Sequence, residues 1–327
     1  MLMSDSSQPG AAGTTYHVSI IIPNWNGIHL LPTCLDALRR QTYRDFEVLI
    51  VDNASEDGSV ELLEKEYPEV KVVRLDSNRF FSGAVNEGIR RSRGEIVVLL
   101  NNDTEVEPQW LAELVKALDE APEAGMAASK MLLFDRRVVL NSAGDYYRRD
   151  GVPGNRGVWE RDGGQYDAAP AVFGACGGAA AYRRRMLDDI GLLDEDFVGY
   201  CEDVDLNFRA QLAGYRCVFA PKARVYHRLS ATGGGPVASY LCGRNFINVV
   251  VKDMPTRLIR KYWSRMVVAQ LGYMKQSLWH FREAAARARL RGQLAAIFAL
   301  PSMLAKRKMI QASRKVSDEY IDSILED

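Results

Sequence analysis

Four short strand-like runs, each closed by a polar turn, constrain this chain more than any other feature. The runs occupy residues 18–22, 46–51, 70–75 and 96–100 and are rich in Val and Ile. β-Branched runs of that length, bounded by polar turns, predict buried strands. Helical segments of ten residues or so lie between them, over 30–40, 57–66 and 82–91, and a further one starts near Gln109. Strands alternating with helices predict an α/β fold with a mostly parallel central sheet covered by helices on both faces. The strand ends then converge on one edge, where open α/β sheets bind ligands. That edge collects Pro23, Trp25 and Asn26, then Asp52 and Asn53, then Asn78, then Asn101, Asn102 and Asp103. A nucleotide suits such a set. Trp25 can stack on a base, Asp52 can accept from a base N–H, and Gly83 at a helix start lets backbone N–H groups approach phosphate or ribose.

The 327 residues suffice for one large α/β domain and an appendage. The formal net charge is zero, but its distribution is uneven: from Thr256 onward there are 14 Lys and Arg against 6 Asp and Glu. A basic tail on an acidic body suits an anionic surface, or a solvated helical face. Five scattered cysteines with no C-x-x-C pair argue against a disulfide framework and for a reducing compartment. Residues 1–15 read as a disordered leader without the apolar core of a signal peptide. The longest apolar window, near 294–304, is too short to span a bilayer. The location implied is cytoplasmic, with a peripheral position on the cytoplasmic face of an inner membrane left open. So is a homo-oligomer.

The middle of the chain predicts a strand over 125–134, a strand or hairpin over 137–147 and a mobile Gly-rich loop over 148–170. Small residues around Gly177, Gly178 and Ala179 suit a backbone that approaches a ligand, here an acceptor, or simply a tightly packed sheet. A helix over 202–213 carries Glu202, Asp203 and Asp205 in its first turn, more carboxylates than capping alone needs. Residues 215–220 and 223–226 read as strands, the second followed by His227. Residues 256–327 are helical by pattern, with Trp263, Tyr273, Trp279 and Phe298 interleaved with basic side chains. Such helices either pack on the body or lie in a membrane interface.

These motifs together resemble a family 2 glycosyltransferase of the nucleotide-sugar-binding GT-A type, most closely the bacterial rhamnosyltransferase-like branch. The motifs are Ile20-Ile21-Ile22-Pro23-Asn24-Trp25-Asn26, Val51-Asp52-Asn53-Ala54-Ser55, Asn78 through Gly83 to Asn86 and Gly88, Leu100-Asn101-Asn102-Asp103, Cys201-Glu202-Asp203-Val204-Asp205-Leu206 and Val225-Tyr226-His227. The resemblance implies a catalytic domain over 16–255 and a helical, basic extension over 256–327. It implies a nucleoside-diphosphate sugar donor and a glycan or lipid-linked acceptor, without nucleic acid. Trp25 would lie over the base, Asp52 would take its N–H edge, and Asn53, Asn78, Gly83 and Asn86 would line the nucleoside. Asp103 corresponds to the last residue of the family's D-x-D motif, and His227 to a histidine that reaches the same divalent metal, Mg2+ or Mn2+. Asn101 replaces the first Asp of that motif, so one carboxylate remains there. Asp203 matches the catalytic Asp, with Glu202 orienting the acceptor. Arg244, read at a helix start, is a weaker candidate for the diphosphate.

Other classes fit less well. A dehydrogenase would want G-x-G-x-x-G after the first strand, and a nucleotidyltransferase a Gly-rich basic loop there; the turn is Pro23 to Gly27. An inactive nucleotide-sugar-binding or scaffold protein on the same fold remains the alternative.

Overall fold

The computed structural model describes residues 16–169, 171–229 and 234–327, so the leader expected over 1–15 lies outside the described residues, as do Pro170 and 230–233. The first half alternates as its pattern predicts. β1 (Val18–Asn24), α1 (Leu31–Arg39), β2 (Phe46–Asp52), α2 (Ser59–Glu66), β3 (Lys71–Arg74), α3 (Phe80–Arg91) and β4 (Ile96–Leu100) follow in turn. β3, β2, β1 and β4 lie side by side and parallel. Period-two alternation separates the two faces. Ile20, Ile22, Val98 and Leu100 share one core with Leu31, Leu35 and Leu63 of α1 and α2. Ile21, Val51, Val97 and Leu99 share another with Val85 and Ile89 of α3.

The second half completes the sheet. It contains β5 (Thr104–Val106), α4 (Trp110–Asp119), β6 (Ala124–Leu133), β7 (Leu140–Ser142), β8 (Asp145–Tyr147), β9 (Pro153–Asn155), β10 (Ala171–Val172), β11 (Ala179–Arg183), α5 (Arg184–Ile190), α6 (Glu202–Leu212) and β12 (Arg216–His227). The strand order is β10-β12-β6-β11-β4-β1-β2-β3. β11 runs antiparallel to β4 and β6, and β12 parallel to β6. The two strands expected over 215–226 are one strand, β12, whose register on β6 breaks between Ala220 and Arg224. Pro221 lies in that gap and has no N–H to give the ladder. The segment expected to be a mobile loop is tied down. β9 pairs with β8, and Asp162 and Asp167 both reach the buried ammonium of Lys130, at 3.0 and 2.5 Å.

Four helices follow: α7 (Gly235–Asp253), α8 (Thr256–Trp279), α9 (Ala284–Ala312) and α10 (Asp318–Ile324). α7 was not anticipated as a whole. It lies along α9 with the backbones nearly touching: a Cβ at Gly243 would stand 2.6 Å from the carbonyl oxygen of Arg289, and one at Gly292 would collide with that of Tyr240. A third core joins these helices to the body through Phe197, Phe208, Val249, Leu258, Met266 and Met303. Among the described residues no helix is long and apolar enough to cross a membrane.

Candidate functional site

Strand pairing brings Asp103 and His227 together. Asp103 lies in the turn between β4 and β5, and β12 runs antiparallel to β5 with His227 opposite Thr104. His227 Nε2 consequently stands 3.3 Å from Asp103 Oδ1. Its Nδ1 lies 2.9 Å from Asn141 Oδ1 on β7. An amide oxygen only accepts, so Nδ1 carries the proton. The Nε2 lone pair and the carboxylate oxygen thus converge on one point at 3.3 Å. Two neighbouring donors each about 2.1 Å from an octahedral Mg2+ are about 3 Å apart, so the pair fits a divalent metal. Asn141 supplies the outer hydrogen bond that fixes a ligating imidazole. Among the described residues no group of three or more His, Cys, Asp or Glu side chains is placed to hold a metal. The remaining ligands would come from solvent or substrate.

Asp103 and His227 line a cavity of about 610 Å³ together with Asn101, Gly178, Glu202 and Asp203. Asp203 Oδ2 accepts from Gly177 N and Oδ1 from Val204 N, each at 2.8 Å. A Cβ at position 177 would come within 3.1 Å of Asp203 Cβ, which explains the glycine. Burial pushes the Asp203 carboxyl up, and the two backbone N–H groups pull it partly back. Glu202 is buried beside it, and burial and the Asp203 charge push its carboxyl well up.

Asp145 of β8 enters the same cavity, and the sequence reading missed it. It is 6% exposed. Its Oδ1 accepts from Asn155 Nδ2 at 2.7 Å and Ser142 Oγ at 3.2 Å. Burial and the Asp203 charge push its carboxyl well up. Its only sequence signal is a carboxylate after Gly144 in a β-rich stretch, which is too common to stand out.

The loop that presents Glu202 and Asp203 is strained and clamped. Val198, Tyr200 and Cys201 have φ of 71°, 61° and 68°, the left-handed region that costs a non-glycine residue energy. Asn245 of α7 donates its amide to the carbonyls of Phe197, Gly199 and Tyr200 at 3.0, 3.1 and 2.6 Å. Arg244 lies midway along α7, not at a helix start, and its guanidinium donates to the carbonyls of Asp196 and Phe197 at 2.8 and 2.9 Å. It is therefore a loop clamp and does not line the cavity. Lys252 reaches Asp194 at 2.6 Å and also pairs with Asp205. Lys306 of α9 reaches Asp194 and Asp196 at 2.5 and 2.6 Å.

The nucleotide-side residues gather at the ends of β1 and β2. Trp25 is 54% exposed just beyond β1, and Pro23 is the half-buried residue before Asn24. Asp52 accepts from Asn24 Nδ2 and Ser55 N at 3.3 and 3.1 Å. Asn26 Oδ1 accepts from Glu56 N at 2.8 Å. Asn53 donates to Asn78 Oδ1 and Phe80 O, and accepts from Arg79 N, so both side chains shape the 78–80 turn. Asn102 is buried and donates to Asn24 Oδ1 at 2.8 Å, tying the end of β4 to β1. Pro23, Trp25, Asn26, Asp52, Asn53, Asn78 and Asn102 lie outside the lining of the Asp103 cavity, and Asn86, Gly83 and Ala179 are turned to other partners. Asn86 turns toward the Leu193 carbonyl and Glu195, both at 2.9 Å. Gly83 is buried in α3 over Arg79. Ala179 pairs with Leu100 and sits in the hydrophobic core.

A mixed sheet of this order, flanked by helices, has the fold of the GT-A class. The family model for glycosyl transferase family 2 matches residues 19–191, more than half of the chain, and the chain belongs to that family. It is 32% identical over 232 residues to the O-antigen biosynthesis protein RfbC of Myxococcus xanthus, covering 67% of this chain and 18% of that protein. It is 27% identical over 233 residues to an N-acetylglucosaminyl-diphospho-decaprenol L-rhamnosyltransferase of Mycobacterium tuberculosis, covering 64% and 76%. These relatives set it in the rhamnosyltransferase-like branch. A 34% match to the uncharacterized protein y4gI of Sinorhizobium fredii covers 66% of this chain and 25% of that one. The chain thus spans about a quarter or less of two of its curated relatives. Among solved structures, GalNAc-T7 with UDP, GalNAc and Mn2+ superposes with a TM-score of 0.59 at 17% identity, covering 73% of this chain and 48% of that one. The mannosyltransferase PcManGT from Pyrobaculum calidifontis with GDP-Man and Mn2+ gives 0.55 at 18%, covering 95% and 84%.

Proposed function

We propose that this chain is an inverting glycosyltransferase that moves a sugar from a nucleoside-diphosphate sugar, dTDP-rhamnose or a UDP-sugar, to a hydroxyl of a glycan or lipid-linked acceptor in surface polysaccharide synthesis. The observation that carries the reading is the shared cavity: the Asp103–His227 pair and the Asp203 carboxylate line one space. The branch supports a rhamnosyl donor, and relatives named for O-antigen and decaprenol-linked chemistry support the acceptor class.

Asp203 takes the acceptor hydroxyl proton as that oxygen attacks the anomeric carbon. Its raised carboxyl makes it a stronger base than an ordinary aspartate, and the Gly177 and Val204 N–H groups aim it. Glu202, beside it in the cavity, orients the acceptor. Attack from the Asp203 side, opposite the leaving diphosphate, inverts the anomeric centre. Asp103 and His227 would hold a Mg2+ or Mn2+ ion, which when bound supplies positive charge to the leaving diphosphate. Trp25 stacks on the base, and Asp52 meets its N–H edge.

A donor screen tests the proposal: nucleoside diphosphate release from UDP-, dTDP- and GDP-sugars with a polyprenyl-diphosphate glycan, with and without Mg2+ or Mn2+. Release with one donor, lost in chelator and in Asp203→Asn, is the expected result. Tight donor binding with no turnover across glycan and lipid-linked acceptors would favour the scaffold alternative.

A further inference from the structure

We infer that the outer face of α8 and α9 is a docking surface for an anionic lipid bilayer. Among the described residues, thirteen of the twenty exposed large apolar side chains lie between Trp263 and Met309. They are ordered. On α8, Trp263, Val267, Leu271, Met274 and Leu278 recur at steps of four, four, three and four, which is one stripe along a helix. On α9, Leu294, Ile297, Phe298 and Leu304 form a second. Trp279 and Phe281 project where the helices meet, Trp279 being 85% exposed. The buried sides of both helices, through Leu258, Met266 and Met303, already pack on the body, so these stripes are a second apolar face. A patch of this extent on a folded protein marks an interaction surface.

Charge identifies the occupant. Residues 256–312 carry twelve Lys and Arg and one acid, Glu283. Several of these cations are spent inside the protein: Arg257, Lys261 and Arg265 on Glu319, Asp322 and Asp327, and Lys306 on Asp194. Arg260, Lys275, Arg282, Arg291 and Lys308 are exposed and form no ion pair among the described residues. Their positions follow the stripes. Arg260 lies seven residues before Val267, Lys275 four after Leu271, and Lys308 four after Leu304, each on or beside the apolar face. A second copy seated on this face by two-fold symmetry would set like charges against like. An anionic bilayer accepts the aromatic and aliphatic side chains at its interface and pairs phosphates with the cations. This inference does not rest on the catalytic reading, and membrane binding is measured without turnover.

The test is sedimentation of the full chain with vesicles of phosphatidylcholine alone or mixed with phosphatidylglycerol. The expected result is pelleting with the anionic vesicles only, weakened as salt rises. Trp263→Ser, Trp279→Ser and Phe298→Ser together lower partitioning at least tenfold with an unchanged thermal transition. Arg260→Gln and Lys275→Gln each lower it about fivefold, the effect of one basic residue at an anionic surface. No pelleting, equal pelleting on neutral and anionic vesicles, or self-association abolished by the triple substitution in place of vesicle binding would each overturn the inference.

Discussion

His227 Nε2 lies 3.3 Å from Asp103 Oδ1 because β12 and β5 run antiparallel with His227 opposite Thr104. The pair is thus a product of strand register, and a one-residue slip would turn the imidazole to the other face of the sheet. Replacing Asp103 or His227 by Ala should abolish metal-dependent tightening of nucleotide binding. Asn141→Leu, which leaves both groups in place but frees the ring, should weaken metal affinity about 10- to 100-fold. Calorimetric titration with Mn2+ and nucleotide reads both. Binding that is equally tight in chelator would remove the metal from the mechanism.

Asp203 must be ionised to accept a proton, and burial raises its carboxyl. Transfer should therefore fall with decreasing pH through an acid limb that lies above the ordinary aspartate range near 3.9. Asp203→Asn should cut kcat by about 10²- to 10⁴-fold while leaving the donor Kd nearly unchanged. A variant that keeps full kcat would move the base elsewhere.

Glu202 and Asp145 are buried with raised carboxyls, a state that disfavours folding once the unfolded chain ionises. Their folded-state affinity for protons exceeds the unfolded one, so their contribution worsens as pH rises above about 4. Glu202→Gln and Asp145→Asn should each keep or raise the melting temperature at pH 7, and Glu202→Gln should lower transfer because Glu202 orients the acceptor. A large fall in melting temperature would show that these carboxyls hold the fold.

Asn245 satisfies three carbonyls of the strained 197–200 turn. Asn245→Ala leaves them without that donor and should cost about 1–3 kcal/mol. It should also slow transfer, because the turn positions Glu202 and Asp203. Denaturant unfolding beside steady-state kinetics tests both; unchanged kcat would mean the turn holds itself.

Asp194, held by Lys252 and Lys306, has its carboxyl lowered from 3.8 to about 2 in spite of burial. A lowered carboxylate stabilises the fold fully above its unfolded value and loses that contribution as pH falls from about 4 to about 2. The shift corresponds to about 2 kcal/mol. In Lys306→Met the acid unfolding midpoint should move to higher pH, read by circular dichroism.

Much of the fold was legible because its causes are local. The run 96–100 is apolar on both faces, and 18–22 is so but for Ser19, which predicts central parallel strands, and α6 follows from its spacing and Gly214. The middle was less so. Lys130, a charged residue in the buried strand β6, gives no sign that it anchors Asp162 and Asp167, and the expected loop is therefore tied down. The segments 215–220 and 223–226 read as two strands, yet pairing with β6 on both sides of Pro221 carries β12 through as one. The family motif implies a nucleoside contact for Asn86, and the charge of Arg244 suits a diphosphate, whereas their partners, carbonyls at Leu193 and Phe197, are distant in sequence.

By itself the sequence determined the α/β alternation, the polar strand ends and the acidic start of α6, since periodicity, turn chemistry and burial of apolar runs act over a few residues. Only the tertiary structure decided that His227 meets Asp103, that Asn141 orients the imidazole, that Asp145 joins Asp203 and that α7 clamps the loop before Glu202. Those depend on strand register and helix packing between segments far apart in the chain, where no local propensity chooses the partner.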